Sequence, residues 1–245
     1  MAIADILTRL ANKIPRVFDS GKEAENKRYW QKFWDGLRFT SDANSYYTRY
    51  AFAGGGWNKE TFSKIIYPAE KFFVKTTSGT YTFENFNRNS SYNTELIDLS
   101  EFCEHMDTSE ITSLQYMFHN ARAKNITIDA PLATNISYAF NCDNGGQVDN
   151  ITLRITNKCT NFSNAFTYMA YLTTIRFMEG SEIANSVSFA QSPNLTNESR
   201  QSIIDALGTV ATTKTLTVHS SVYNRMVESG QDALVTAKNW TLVSA

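Results

Sequence analysis

The chain has 245 residues, with 23 Lys and Arg against 24 Asp and Glu, and a hydrophobic fraction of 42% that includes sixteen Phe. A formal charge of −1 and a pI near 6.3 exclude the positive field with which proteins neutralise nucleic-acid phosphates. The apolar content is enough for one elongated domain or two small ones.

Residues 2–13 read as a short amphipathic helix with Ile3, Ile6, Leu7 and Leu10 on one face, ended by Pro15. Asp5, Arg9, Lys13 and Arg16 break any apolar run before Phe18, so no signal peptide is expected. No stretch approaches the roughly 20 apolar residues of a membrane span. A second helix is expected from about residue 21 to Leu37, with Ser20 as N-cap and Glu23 completing a capping box. Trp30, Phe33, Trp34 and Leu37 form its apolar stripe, with Tyr29 alongside, and Lys22, Glu25, Lys32 and Asp35 lie opposite. That stripe has two readings: a lid on the chain's own core, or a docking face for a neighbouring subunit.

Residues 40–95 are rich in Tyr, Phe, Asn and Gly. Tyr50-Ala51-Phe52, Tyr81-Thr82-Phe83 and Leu96-Ile97-Asp98-Leu99 look like degenerate copies of a pattern that then dominates. Gly54-Gly55-Gly56 lacks the residues of a phosphate loop. From Leu96 a period of roughly 25 residues alternates two units, which implies stacked supersecondary units. One unit is a strand-like step: Asn125-Ile126-Thr127-Ile128, Asn150-Ile151-Thr152-Leu153, Thr174-Ile175-Arg176-Phe177, Thr215-Leu216-Thr217-Val218 and Asn239-Trp240-Thr241-Leu242. The other carries an aromatic and ends at Phe118, Phe140 or Phe166. Apolar residues of each step point inward and the polar one outward. The Phe residues fill the core, where truncation to Ala costs about 3–5 kcal/mol.

The steps at 97–99, 126–128, 151–153, 175–177, 216–218 and 240–242 are expected to form one parallel ladder. Asn144-Gly145-Gly146 marks a turn, 197–207 a short inserted helix with Ile203, Ile204 and Leu207 on one face, and 222–237 a helix broken near Gly230. The domain division is 1–38 as N-terminal helices and 39–245 as the repeat region with a C-terminal cap.

The repeat units of 80–245 resemble BspA-like leucine-rich repeats, whose coils alternate a Leu-x-x-x-x-x-Phe segment with a short strand. The resemblance implies an α+β repeat solenoid, a ladder of short parallel strands with an N-terminal helical segment. Ile14-Pro15-Arg16-Val17-Phe18-Asp19-Ser20-Gly21-Lys22-Glu23-Ala24-Glu25, followed by Trp30-Gln31-Lys32-Phe33-Trp34, is similar to the opening of proteins encoded among structural genes of gut bacteriophages and prophages. Ala237-Lys238-Asn239-Trp240-Thr241-Leu242 resembles their ending, with Asn239 where Gly is usual. This implies a non-enzymatic virion structural protein: a tail-fibre or tip protein, or a head decoration subunit, made in the host cytoplasm. Its expected partners are other virion proteins, a homo-oligomer (a trimer) and a host-surface glycan or protein, with no nucleic acid and no membrane span. The alternatives are a bacterial adhesion module with the same repeats and a phage enzyme that cleaves glycans.

No catalytic, cofactor or metal site is expected. Asp98, Glu101, Glu104, His105 and Asp107 are the densest titratable cluster, read as a solvated loop in preference to a cation site or acid pair. Cys103, Cys142 and Cys159 read as buried free thiols. The Asn-x-Ser/Thr triplets at Asn125, Asn135, Asn150, Asn161 and Asn239 fall at repeat positions and read as turn chemistry. The candidate binding surface is a polar strip of Thr127, Thr152, Arg154, Arg176 and Thr217, with Tyr138, Tyr168 and Tyr171 as stacking rings. Its alternative is an ordinary solvated strand face. Ile3, Ile6, Leu7, Leu10, Trp30 and Trp34 are the candidate assembly residues.

Overall fold

The computed structural model describes residues 23–37, 52, 62–72, 77–88 and 95–245. The expected helix over 2–13, with Ile3, Ile6, Leu7 and Leu10, and the Ser20 cap lie outside them. The elements in chain order are α1 (Glu23–Leu37), α2 (Ser100–Glu104), β1 (Arg122–Asp129), β2 (Gln147–Arg154), β3 (Thr174–Phe177), β4 (Val187–Phe189), α3 (Asn197–Ala206), β5 (Lys214–Val218), α4 (Ser220–Glu228), α5 (Gln231–Ala237) and β6 (Trp240–Ser244). They share one buried apolar cluster from Trp30 to Trp240. Among the described residues no helix is long and apolar enough to cross a membrane.

All strand pairing within the two sheets is parallel, in the orders β1-β2-β3 and β4-β5-β6. Alternation sets the faces: Ile126 and Ile128 are buried while Thr127 between them is exposed. The expectation of one continuous ladder is corrected. The steps at 216–218 and 240–242 do not extend β3; the first pairs with β4, a strand absent from the sequence reading, and the second pairs with the first.

At the β1 edge the 97–99 step joins the first sheet as a parallel bridge, Ile97 to Ala123, and α2 follows it; at the β3 edge a helix, α3, takes the place of a further strand. At β1, Lys124 N–H donates to Ile97 O, and the Thr127 and Asp129 N–H groups donate to Cys103 Sγ and Thr108 Oγ1. At β3, Ile175 N–H donates to Ser199 Oγ at 3.0 Å and Phe177 N–H to Ser202 Oγ at 2.8 Å. Serines three apart on α3 thus satisfy alternate edge amides, which would otherwise invite another strand.

The aromatic units form a second column beside the strands. Gly79, Tyr81, Phe83 and Asn85 donate their N–H groups to the carbonyls of Ser113, Gln115, Met117 and His119. Leu114, Tyr116, Phe118 and Asn120 donate in turn to Asn135, Ser137, Ala139 and Asn141. Ile136, Tyr138, Phe140 and Cys142 donate to Asn161, Ser163, Ala165 and Thr167, all at 2.7–3.2 Å. These bonds all run the same way along the stack. Behind them Phe52, Phe83, Phe118, Phe140, Phe166 and Phe189 stack successively at 4.6–5.7 Å. Gly146 permits the close approach of two turns, since a Cβ there would sit 2.7 Å from Asn120 Cα.

Trp30, Phe33 and Trp34 pack on Phe52, Phe72 and Phe102, with Trp30 0% and Trp34 2% exposed. The two Trp rings offered above as assembly residues are therefore covered by the chain's own core. The three cysteines are buried and free, and burial pushes each thiol up to about 12.

Candidate functional site

Register across the first sheet sets the surface. Thr127, Thr152 and Arg176 are direct neighbours in one row. Asn125 and Asn150 are register partners in a second row, extended by side-chain hydrogen bonds to Asp98 at one end and Thr173 at the other. Asn125 Nδ2 donates to Asp98 Oδ2 at 2.7 Å, and Asn150 Nδ2 donates to Asn125 Oδ1 at 2.9 Å. Thr173 Oγ1 then donates to Asn150 Oδ1 at 3.3 Å. A third row pairs Asp129 with Arg154, whose Nε and Nη2 hold the two carboxylate oxygens at 2.5 and 2.6 Å. The carboxylate keeps that guanidinium protonated to still higher pH than usual.

The strip divides accordingly. Arg154 is tied to Asp129. Thr217 lies in the second sheet, paired with Ser188 and Val243, so the expected continuous strip from Thr127 to Thr217 is corrected. The Arg176 side chain is exposed and forms no ion pair or hydrogen bond with any described residue. It opens onto a groove of about 700 Å³ between β3 and α3. The opposite wall carries Glu198, Gln201, Ser202 and Asp205, and the turn after β3 adds Glu179 around Gly180, whose φ is +78°.

The wall is firmly held. Thr196 caps α3 by accepting from Ser199 N–H, and Lys238 Nζ donates to the carbonyls of Ile204, Asp205 and Leu207 at the other end. Burial lowers the Lys238 pKa, with Asp205 opposing. Behind the wall the buried Arg200 donates to Gln231 Oε1, Leu195 O and Asn197 Oδ1, joining α3 to α5. Burial first, then Arg225, lowers its pKa. Gln201 Nε2 donates to Asp205 Oδ1 at 2.8 Å. One guanidinium facing carboxylates, an amide and hydroxyls across an open groove suits a polyhydroxylated or peptide ligand.

The rings lie elsewhere. Tyr138 stacks on Tyr116 at 4.7 Å, and Tyr116 on Tyr81 at 4.8 Å, forming a half-buried column on the aromatic turns. All three have φ of 55–59°, and Asn164 takes the equivalent place at 54°. This region is rare for residues with a Cβ. Tyr168 and Tyr171 are exposed, at 50% and 57%.

The 98–107 cluster is a turn of helix, α2, with flanking caps; the expected loop is corrected there. Asp98 Oδ1 accepts from both Ser100 N–H and its hydroxyl, and Asp107 Oδ1 does the same with Ser109. Burial acts to raise the Asp98 pKa, but the Ser100 and Asn125 bonds and Lys124 hold it below the usual value. His105 stacks on Tyr67 at 4.4 Å. Among the described residues no group of three or more His, Cys, Asp or Glu is placed to hold a metal ion.

Sequence reasoning missed the α3 wall and the Asp129–Arg154 pair. The pair had a signal: opposite charges stand one repeat apart, at the same offset from their Asn-Ile-Thr steps. No family model, no curated protein and no solved structure matches this chain.

Proposed function

We propose that the chain is a non-enzymatic structural protein of a phage particle, built as an α+β repeat solenoid of the BspA-like leucine-rich-repeat type. Its repeat surface meets the host. The phage assignment rests on the N- and C-terminal sequence resemblances. The binding assignment rests chiefly on Arg176, an untied cation at the mouth of the β3–α3 groove, where the Thr127–Thr152 row ends. Its neighbours in the other rows are tied by intramolecular bonds, which leaves Arg176 available to a ligand.

Labelled antibody locates the protein on the particle. Signal at the distal tail agrees with receptor binding by a tail fibre or tip, and signal over the head with decoration. Arg176→Ala is expected to slow adsorption to host cells while the melting temperature stays constant. Normal adsorption by that variant, with distal labelling, rules the groove out as the contact. The same groove carries Glu179, Glu198 and Asp205. New reducing ends after incubation with host-wall glycan would favour the glycan-cleaving alternative over simple binding.

A further inference from the structure

The stack of aromatic turns ends without closing. At each of the three interfaces between the described turns from Gly79 to Thr167, four N–H groups donate forward to the next turn, so the peptide dipoles add along the stack. In the last turn the equivalent donors are Phe162, Asn164, Phe166 and Tyr168. Tyr168 N–H is taken by Gln191 Oε1 at 2.9 Å. The N–H groups of Phe162, Asn164 and Phe166 meet no acceptor among the described residues. Phe166 is shut in by Phe189, stacked on it at 4.6 Å.

At Phe162 and Asn164 the turn parts from β4, leaving a groove of about 420 Å³. Aligned dipoles ending in free N–H groups give a positive end, as at a helix N-terminus or a backbone nest. The remaining lining makes the same demand. Ser163, Ser186, Ser188, Thr215 and Thr217 contribute hydroxyls, and Lys214 contributes the only charge among the described lining residues. No carboxylate lines the groove, and Lys214 forms no ion pair among the described residues.

We infer that this groove binds the oxyanion of an acidic glycan, with Lys214 and the Phe162 and Asn164 amides on the anion and the Ser and Thr hydroxyls on the sugar. The glycan as the anion's carrier rests on the host-surface reading above; the need for an anion does not. Carboxylate-bearing and phosphate-bearing polymers offer the same chemistry.

The test is an amide NMR titration of the ¹⁵N-labelled full chain with sodium glucuronate, inorganic phosphate and neutral glucose. The Phe162 and Asn164 resonances should move with both anions and stay fixed with glucose. Lys214→Gln should weaken the response at least tenfold, whereas Lys124→Gln, on the far sheet, should leave it unchanged. Unchanged resonances elsewhere in each spectrum report an intact fold. Tighter binding of glucuronate points to an acidic sugar, and of phosphate to a phosphate-linked polymer. No movement at Phe162 and Asn164, an equal response to glucose, or an equal response in Lys214→Gln overturns the inference. Anion binding in a protein that fails to adsorb to host cells would keep the groove and refute the host-surface role.

Discussion

Ser199→Ala tests whether α3 is what ends the first sheet. Ser199 is 1% exposed, and its hydroxyl accepts from Ile175 N–H at 3.0 Å and donates to Thr173 O at 3.0 Å. Alanine leaves that N–H without a partner in a place water cannot reach. An unsatisfied buried donor costs about 1–3 kcal/mol, and the simultaneous loss of the Thr173 bond places this site at about 2–3 kcal/mol. In a chain of this size each kcal/mol lowers the melting temperature by roughly 2–4 °C, so the expected loss is roughly 4–12 °C. Ser202→Ala should cost less, because Ser202 is half-buried and water can replace its hydroxyl. Hydrogen exchange gives the local readout: the Ile175 amide should exchange faster in Ser199→Ala, and the Phe177 amide in Ser202→Ala. An unchanged melting temperature with unchanged Ile175 exchange would refute the reasoning.

Four further outcomes follow from the packing and the charges. Phe140→Ala, in the middle of the phenylalanine stack and 0% exposed, should lose about 3–5 kcal/mol in urea unfolding; a loss no larger than that of an exposed Phe would count against a continuous stack. Arg154→Ala should leave thermal stability unchanged in moderate salt, since its pair with Asp129 is solvent-exposed and screened. Cys103, Cys142 and Cys159, with thiols raised to about 12, should resist a thiol reagent until denaturant is added; fast labelling of the native protein would show an open core. Asp98 has a depressed folded pKa, so its contribution is complete above its unfolded value of 3.8 and falls as pH drops through the folded value. Asp98→Asn should therefore be less stable than the parent near neutrality and approach it in acid. A gap that persists at low pH would assign the effect to shape and not to charge.

Much of the local structure was legible because it depends on side-chain alternation. Ile126, Thr127 and Ile128 announce a half-buried strand, and the recurrence of Phe118, Phe140 and Phe166 announces a shared place in the core. The exchange of columns after β3 was not legible. Leu216 and Val218 alternate in the same way whichever column they join, so periodicity cannot say which strand lies beside them. Val187-Ser188-Phe189 was missed because three residues without the Asn-Ile-Thr signature carry no periodic signal. Arg176 was visible as an outward residue of its step. The wall opposite it was visible only as the polar face of a helix, since nothing local in Glu198, Gln201 and Asp205 says which edge that helix covers.

Both grooves follow from that one exchange of columns. A parallel ladder of short steps can continue indefinitely unless something satisfies the edge amides without offering new ones. Ser199 and Ser202 do this at β3, but a helix is wider than a strand. Placing α3 there opens the space that Arg176 borders. The displaced strands must pair somewhere, and β4, β5 and β6 continue the turn column instead. β4 meets the last turn through Phe189 on Phe166, and Phe162 and Asn164 share the groove beside it with Lys214. The stop that keeps the ladder from growing thus also creates the two concave polar surfaces described here. Substitutions in their linings can then alter recognition while the stacked core from Phe52 to Phe189 stays as it is.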